Sequence, residues 1–102
     1  MAPMDRKTAL ARLRAFEPEL RRAGIAHMFL YGSVARNDAG AASDLDIAFE
    51  VDRPKVKFSL LDQARIQVRL SDAMGVPVDL LEREAIRDFA RATAESDMVA
   101  IF

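Results

Sequence analysis

The sequence predicts one α/β or α+β domain arranged around a small sheet. Two runs carry strand signals: "IAHMFLY" is nearly all apolar, and "LDIAFEV" alternates. The stretches between them carry helix caps and glycine stops, so helices and strands interleave along the chain. At 102 residues, 51% of them hydrophobic, the chain has the size and the apolar content for one modest core. It has no internal repeat, low-complexity tract or interdomain linker, and the expectation is a single domain over residues 1–102.

Taken in order, Asp5 is placed to cap a helix through "RKTALARLRAF", with Leu10, Leu13 and Phe16 toward the core. Pro18 breaks that helix or starts a short second one, "PELRRAG", which Gly24 stops. "IAHMFLY" reads as a buried strand ended by Gly32, and "SVAR" as a short helical turn. In the next strand Leu45, Ile47, Phe49 and Val51 alternate with Asp44, Asp46, Ala48 and Glu50, which gives one buried face. "VDRPK" is a turn around Pro54. Ser59 and Asp62 form a capping box with Phe58 as its staple, opening a helix that reaches Met74 and stops at Gly75. That helix has two apolar stripes: Leu60, Leu61, Ala64 and Val68 on one side, Ile66, Leu70, Ala73 and Met74 on another. One stripe suffices to dock it; the other is further core or an interface. "VPVDLL" is a third strand, with Pro77 at its beginning or on a sheet edge. A helix from Glu84 to about Ala94 follows, with Ala85, Ile86, Phe89, Ala90 and Thr93 on one side. "MVAIF" closes as a short strand or a docked apolar tail.

Fifteen basic residues against sixteen acidic ones leave a formal charge of −1, which offers no footprint for direct nucleic-acid binding. The chain lacks cysteine, which excludes disulfides and thiolate metal sites and fits a reducing cytoplasm. No apolar run approaches membrane-spanning length, and "MAPMDRKTAL" lacks a signal-peptide core. The expectation is a soluble cytoplasmic domain.

Aspartate is depleted in strands, yet Asp44 and Asp46 open the best strand of the sequence. Side chains at i and i+2 share a face, about 6.5–7 Å apart along the backbone. Two carboxylates so placed raise one another's pKa, and a divalent cation relieves the repulsion. Asp79, between Val78 and Leu80, faces away from that apolar pair and can join the cluster if its strand lies beside the second. Three carboxylates can hold two metals about 3.5–4 Å apart, an arrangement for in-line displacement at phosphorus. Taken alone, the Asp-x-Asp is better accounted for by a solvated strand end or a cap, and Asp79 more so; the context upstream is what raises them. Upstream, Gly32 permits close backbone approach to a ligand and Ser33 adds a hydroxyl donor, or the two simply end the strand and cap the turn. Arg36 is a candidate phosphate donor or a solvated arginine. His27 reads as a packing or surface residue; Tyr31, next to the glycine, reads as a core residue first, with lining a nucleotide site as the alternative.

The segment "GSVARNDAGAASDLD", Gly-Ser followed after ten residues by Asp-x-Asp, resembles the signature of the DNA polymerase β-like nucleotidyltransferase superfamily. With the aspartate of "VPVDLL" and so short a chain, it looks like a minimal nucleotidyltransferase (MNT). The resemblance implies a small mixed sheet flanked by helices. It implies that Gly32 and Ser33 hold a nucleotide, with Arg36 a helper on its residue type alone, and that Asp44, Asp46 and Asp79 bind magnesium, Asp79 also assisting the attacking hydroxyl. Family members commonly have glycine where this chain has Asn37; asparagine tolerates left-handed backbone, so the loop shape can survive. Many such proteins are antitoxins paired with a HEPN-domain toxin. The implied activity is therefore magnesium-dependent transfer of AMP from ATP to a toxin hydroxyl, typically of tyrosine. The alternative is a non-catalytic binding module that neutralises the toxin by occlusion.

Overall fold

The computed structural model describes residues 5–38, 44–52, 58–86 and 88–102, with the side chains of 88–91 left aside. The chain order is α1 (Arg6–Arg14), α2 (Glu17–Arg22), β1 (Ile25–Tyr31), α3 (Gly32–Ala35), β2 (Leu45–Val51), α4 (Leu60–Met74), β3 (Val78–Glu82), a 3-10 turn (Arg83–Ala85), α5 (Asp88–Asp97) and β4 (Val99–Ala100). The four strands make one mixed sheet in the order β3-β2-β1-β4. β1 runs antiparallel to both β2 and β4, while β2 and β3 run parallel, joined across α4. Among the described residues no helix is long and apolar enough to cross a membrane.

One face of the sheet carries the main core. Met28 and Leu30 of β1, Leu45, Ile47 and Phe49 of β2, and Val78 and Leu80 of β3 are buried against Leu10, Leu13, Leu20, Ile66, Leu70 and Met74 of the helices. The period-2 pattern of "LDIAFEV" is thus realised, with one departure. Ala48, on the expected polar face, is fully buried, because Ile86 and Ala94 close over it in a second small cluster that also takes in Phe29, Tyr31 and Leu81. That cover ends before the Asp46 end of the strand is reached, where the side chain is only half-buried.

Local signals place the helices. Asp5 accepts from the backbone N–H of Thr8 at 2.7 Å and starts α1. Phe16, expected on α1, instead sits at the N-cap of α2, whose first turn holds Pro18. Ser59 and Asp62 form the complete capping box, and Phe58 packs against the Phe49 ring at 5.4 Å. Gly75 ends α4 in the left-handed region at φ 72°. Of the two stripes on α4, Ile66, Leu70 and Met74 face the core; Leu60, Leu61 and Val68 face solvent. The same helix also serves the sheet edge. The Gln63 side-chain amide donates to the Leu80 carbonyl at 2.8 Å, Gln67 accepts from the Leu80 N–H at 3.2 Å, and Ser71 accepts from the Val78 N–H at 3.0 Å. These bonds satisfy outer backbone groups of β3 that an exposed edge would leave open.

The expected Glu84–Ala94 helix is corrected. The segment begins as a 3-10 turn and Ile86 is extended (φ −66°, ψ 124°), so the α-helix starts only at Asp88 and runs on to Asp97. Burial of the Ile86 side chain between Ala48 and Ala94 fixes this break, overriding the helical spacing. Thr93 is exposed. The expected "VDRPK" turn, beyond its first two residues, lies outside the described residues, as do the side chains of Phe89 and Ala90.

Candidate active site

The sheet register sets three polar side chains in a row. Tyr31 on β1 pairs with Asp46 on β2, and Asp46 pairs with Asp79 on β3. Neighbouring strands lie about 4.8 Å apart, so all three project from one face at one end of the sheet. The alternation that buries Leu45 and Ile47, and Val78 and Leu80, on the core side turns the two aspartates outward. Asp44, exposed, immediately precedes β2.

The Gly-Ser turn packs directly on Asp46. Gly32 has φ +77°, and a Cβ placed on it would stand 3.1 Å from Asp46 Cγ, with Oδ2 closer still. Both the backbone angle and the space therefore require glycine. The turn is closed by the Arg36 N–H to the Gly32 carbonyl and the Asp38 N–H to the Ser33 carbonyl, each 3.0 Å. Asn37 adopts the left-handed φ of 64° that glycine would otherwise supply. Its side-chain oxygen accepts from the Arg6 N–H at 3.2 Å, tying the turn to α1.

The electrostatics follow from this crowding. Partial burial raises the Asp46 pKa above the usual aspartate value, the neighbouring charges of Asp79 and Asp44 raise it further, and Arg36 partly offsets them. Burial likewise raises the Tyr31 hydroxyl, with Asp46 and Asp79 adding to the shift. The donor set is all carboxylate oxygen in mutual repulsion, which fits a hard divalent cation and does not fit zinc with its nitrogen and sulfur preference. Among the described residues no three such side chains are already gathered into a chelating group. A cation held here would need some of its oxygens from a bound ligand or water, as magnesium commonly does.

Beside the row lies a cleft of about 360 Å³ lined by Tyr31, Gly32, Arg36, Thr93, Ala94 and Asp97. The Arg36 guanidinium, expected to face a phosphate, is engaged by Asp97 at 2.7 Å and Asp38 at 3.1 Å. Asp97 and Thr93 were not foreseen as site neighbours; the α5 contact spans 61 positions, and no local pattern announces it. Tyr31 both packs on the second cluster and lines the cleft. His27 is exposed on β1, 6.5 Å from the Phe29 ring and apart from the row.

A small mixed sheet carrying paired carboxylates beside a glycine turn defines a phosphate-handling enzyme class. Residues 13–101 match the Nucleotidyltransferase domain family, and the chain belongs to it; it is a nucleotidyltransferase. Two relatives from Methanocaldococcus jannaschii are similar in sequence. "Putative protein adenylyltransferase MJ0435" is 36% identical over 73 residues, 72% of this chain and 75% of that one. "Putative protein adenylyltransferase MJ0126" is 30% identical over 91 residues, 87% and 90% of the two chains. Among solved structures, a "putative minimal nucleotidyltransferase" superposes with a TM-score of 0.77 at 29% identity, covering 97% of this chain and 98% of that one. The MNT antitoxin complex with a tri-AMPylated Shewanella oneidensis HEPN toxin shares the fold, with a TM-score of 0.64 at 14% identity over 91% of this chain and 71% of that one.

Proposed function

We propose that this chain is a magnesium-dependent protein adenylyltransferase that moves AMP from ATP to a hydroxyl, of tyrosine, on a HEPN-type partner and so acts as its antitoxin. The observation that carries this reading is the register placing Asp46 beside Asp79, with Gly32 against the Asp46 carboxylate. Asp44, Asp46 and Asp79 would hold the magnesium, which would neutralise triphosphate charge when bound. Gly32 and Ser33 seat the phosphates close to the sheet. Arg36 reaches a phosphate by exchanging its exposed Asp38 contact while Asp97 keeps the guanidinium oriented. In the reaction the acceptor oxygen bonds to the α-phosphorus, pyrophosphate departs with the electron pair of the broken P–O bond, and the hydroxyl proton passes to the Asp79 carboxylate. The Asp46 pKa is raised first by partial burial and then by the charges of Asp79 and Asp44, and a divalent cation would offset that second contribution. The relatives' names and the AMPylated complex support the reaction class and the partner class, and the lack of cysteine fits a cytoplasmic setting.

The test is intact-mass spectrometry of a co-expressed or mixed HEPN partner after incubation with ATP and magnesium, beside the Asp44→Asn/Asp46→Asn variant. A gain of one or more AMP units with the native chain only is the expected result. No gain, in a stable complex that still silences the partner, favours neutralisation by occlusion.

A further inference from the structure

We infer that the outward face of α4 is a self-association surface, on which two copies of this chain pair antiparallel about a two-fold axis at Val68. Each copy then sets Arg65 against the partner subunit's Asp72. The inference does not depend on the chemistry proposed above.

Among the described residues the exposed large hydrophobic side chains all belong to this helix: Leu60 at 83%, Leu61 at 59% and Val68 at 60%. Single exposed apolar residues need no explanation, but several on one helix face do. A shallow groove of about 450 Å³ runs along the face, lined by Ala64, Arg65, Val68, Arg69 and Asp72. The helix has no second face to spare, since Ile66, Leu70 and Met74 pack inward and Gln63, Gln67 and Ser71 hold β3.

The charge layout decides what covers the groove. Leu61, Arg65, Val68 and Asp72 follow one another at intervals of four, three and four, the spacing of a helix-pairing seam. A positive charge stands on one side of Val68 and a negative charge at a near-equal distance on the other. Antiparallel pairing of two such seams sets each arginine opposite an aspartate; parallel pairing sets like against like. A surface complementary to itself under a two-fold rotation is the condition for an isologous dimer. Arg69 does not compete for this role, because Glu19 holds it at 3.2 Å and the Phe16 ring lies under it at 5.2 Å. At the far end the partner's Leu61 would meet the Gly75 turn, where a Cβ built on the glycine has nothing within 4 Å, so the turn is open at that point. A net charge of −1 gives little repulsion between copies. A single helix pair buries less than the roughly 800 Å² per partner of a standard interface, so the dimer exchanges readily, with a dissociation constant of micromolar order or weaker.

Sedimentation equilibrium of the isolated chain, from about 1 to 300 μM, reads the dimer directly across that affinity range. The expected result is a mass that doubles with concentration, weakened about tenfold or more by Arg65→Asp or Asp72→Arg alone and restored by the two together. A wild type that stays monomeric throughout overturns the proposal, as does a dimer indifferent to both single reversals or a double variant no better than either. Because the chain lacks cysteine, Val68→Cys offers a second reading. Under mild oxidation it should form a disulfide-linked dimer faster than a His27→Cys control; equal rates overturn the axis. Protection of α4 amides only on adding a different protein would mean that another partner owns the face.

Discussion

Asp46 is the residue on which the glycine turn and both neighbouring strands converge, and its proposed role and stability pull it in opposite directions. Its folded pKa lies above the unfolded value, so its ionised form costs stability at neutral pH. That cost begins to shrink as pH falls through the raised folded pKa and is gone below the unfolded value, where both states carry the proton. Asp46→Asn should therefore raise the melting temperature at pH 7 by about 1–4 °C, a gain under about 1 kcal/mol because solvent screens a half-exposed carboxyl. The gap between variant and wild type should narrow on acidification. Adenylylation by the same variant should fall at least about 100-fold. A variant that melts lower, or one that keeps full activity, would contradict this account. At this scale the sequence was informative: the outward aspartates follow from strand alternation, and Asn37 in the left-handed region follows from its residue type. The Asp97–Arg36 pair was not legible, because nothing local in either segment refers to the other.

At the scale of elements, α4 shows what caps and side chains do for a helix lying on a sheet edge. The Asp5 and Asp62 carboxyls, both N-terminal acceptors, have pKa values lowered chiefly by the backbone N–H groups of Thr8 and Ser59 respectively. Their contribution is present above the unfolded carboxyl pKa and is lost as pH falls through the lower folded value. Acidification should fray the first turns of α1 and α4 before the sheet responds, seen as early loss of protection at those amides. Ser59→Ala should cost about 1 kcal/mol, read as a drop of roughly 4–8 °C in melting temperature. The capping box was legible because it is local. Which apolar stripe of α4 faced inward was not, since both have helical spacing and only the position of the sheet chooses between them. The start of α5 was misplaced for a related reason: Ile86 fits the helical spacing, but a buried slot between Ala48 and Ala94 holds it extended.

For the whole molecule, the sheet closes only when the end of the described chain returns to its centre. The Ile101 N–H donates to the Met28 carbonyl at 2.8 Å, the Met28 N–H to the Phe102 carbonyl at 3.2 Å, and Arg14 reaches the carbonyls of Ile101 and Ala100 at 2.9 and 3.0 Å. Ile101 is buried in the main core. Ile101→Ala should lower stability by about 2–4 kcal/mol in chemical denaturation, with one cooperative transition retained. The α/β class was evident from interleaved helix and strand signals. The strand order was not, because "MVAIF" reads equally as a tail or a strand until β1 supplies its partner.

The parallel pairing of β2 with β3 bears on the order in which the chain folds. The antiparallel β1–β2 pairing closes a short loop, so Tyr31 can meet Asp46 early. The carboxylate pair waits until α4 has formed and crossed back, a longer closure and a slower step. A chain still emerging from the ribosome can already hold its glycine turn against Asp46 while Asp79 is yet to arrive. On the function proposed above, cation-dependent nucleotide binding is expected only near the end of folding, and its onset in a refolding experiment would time the docking of β3.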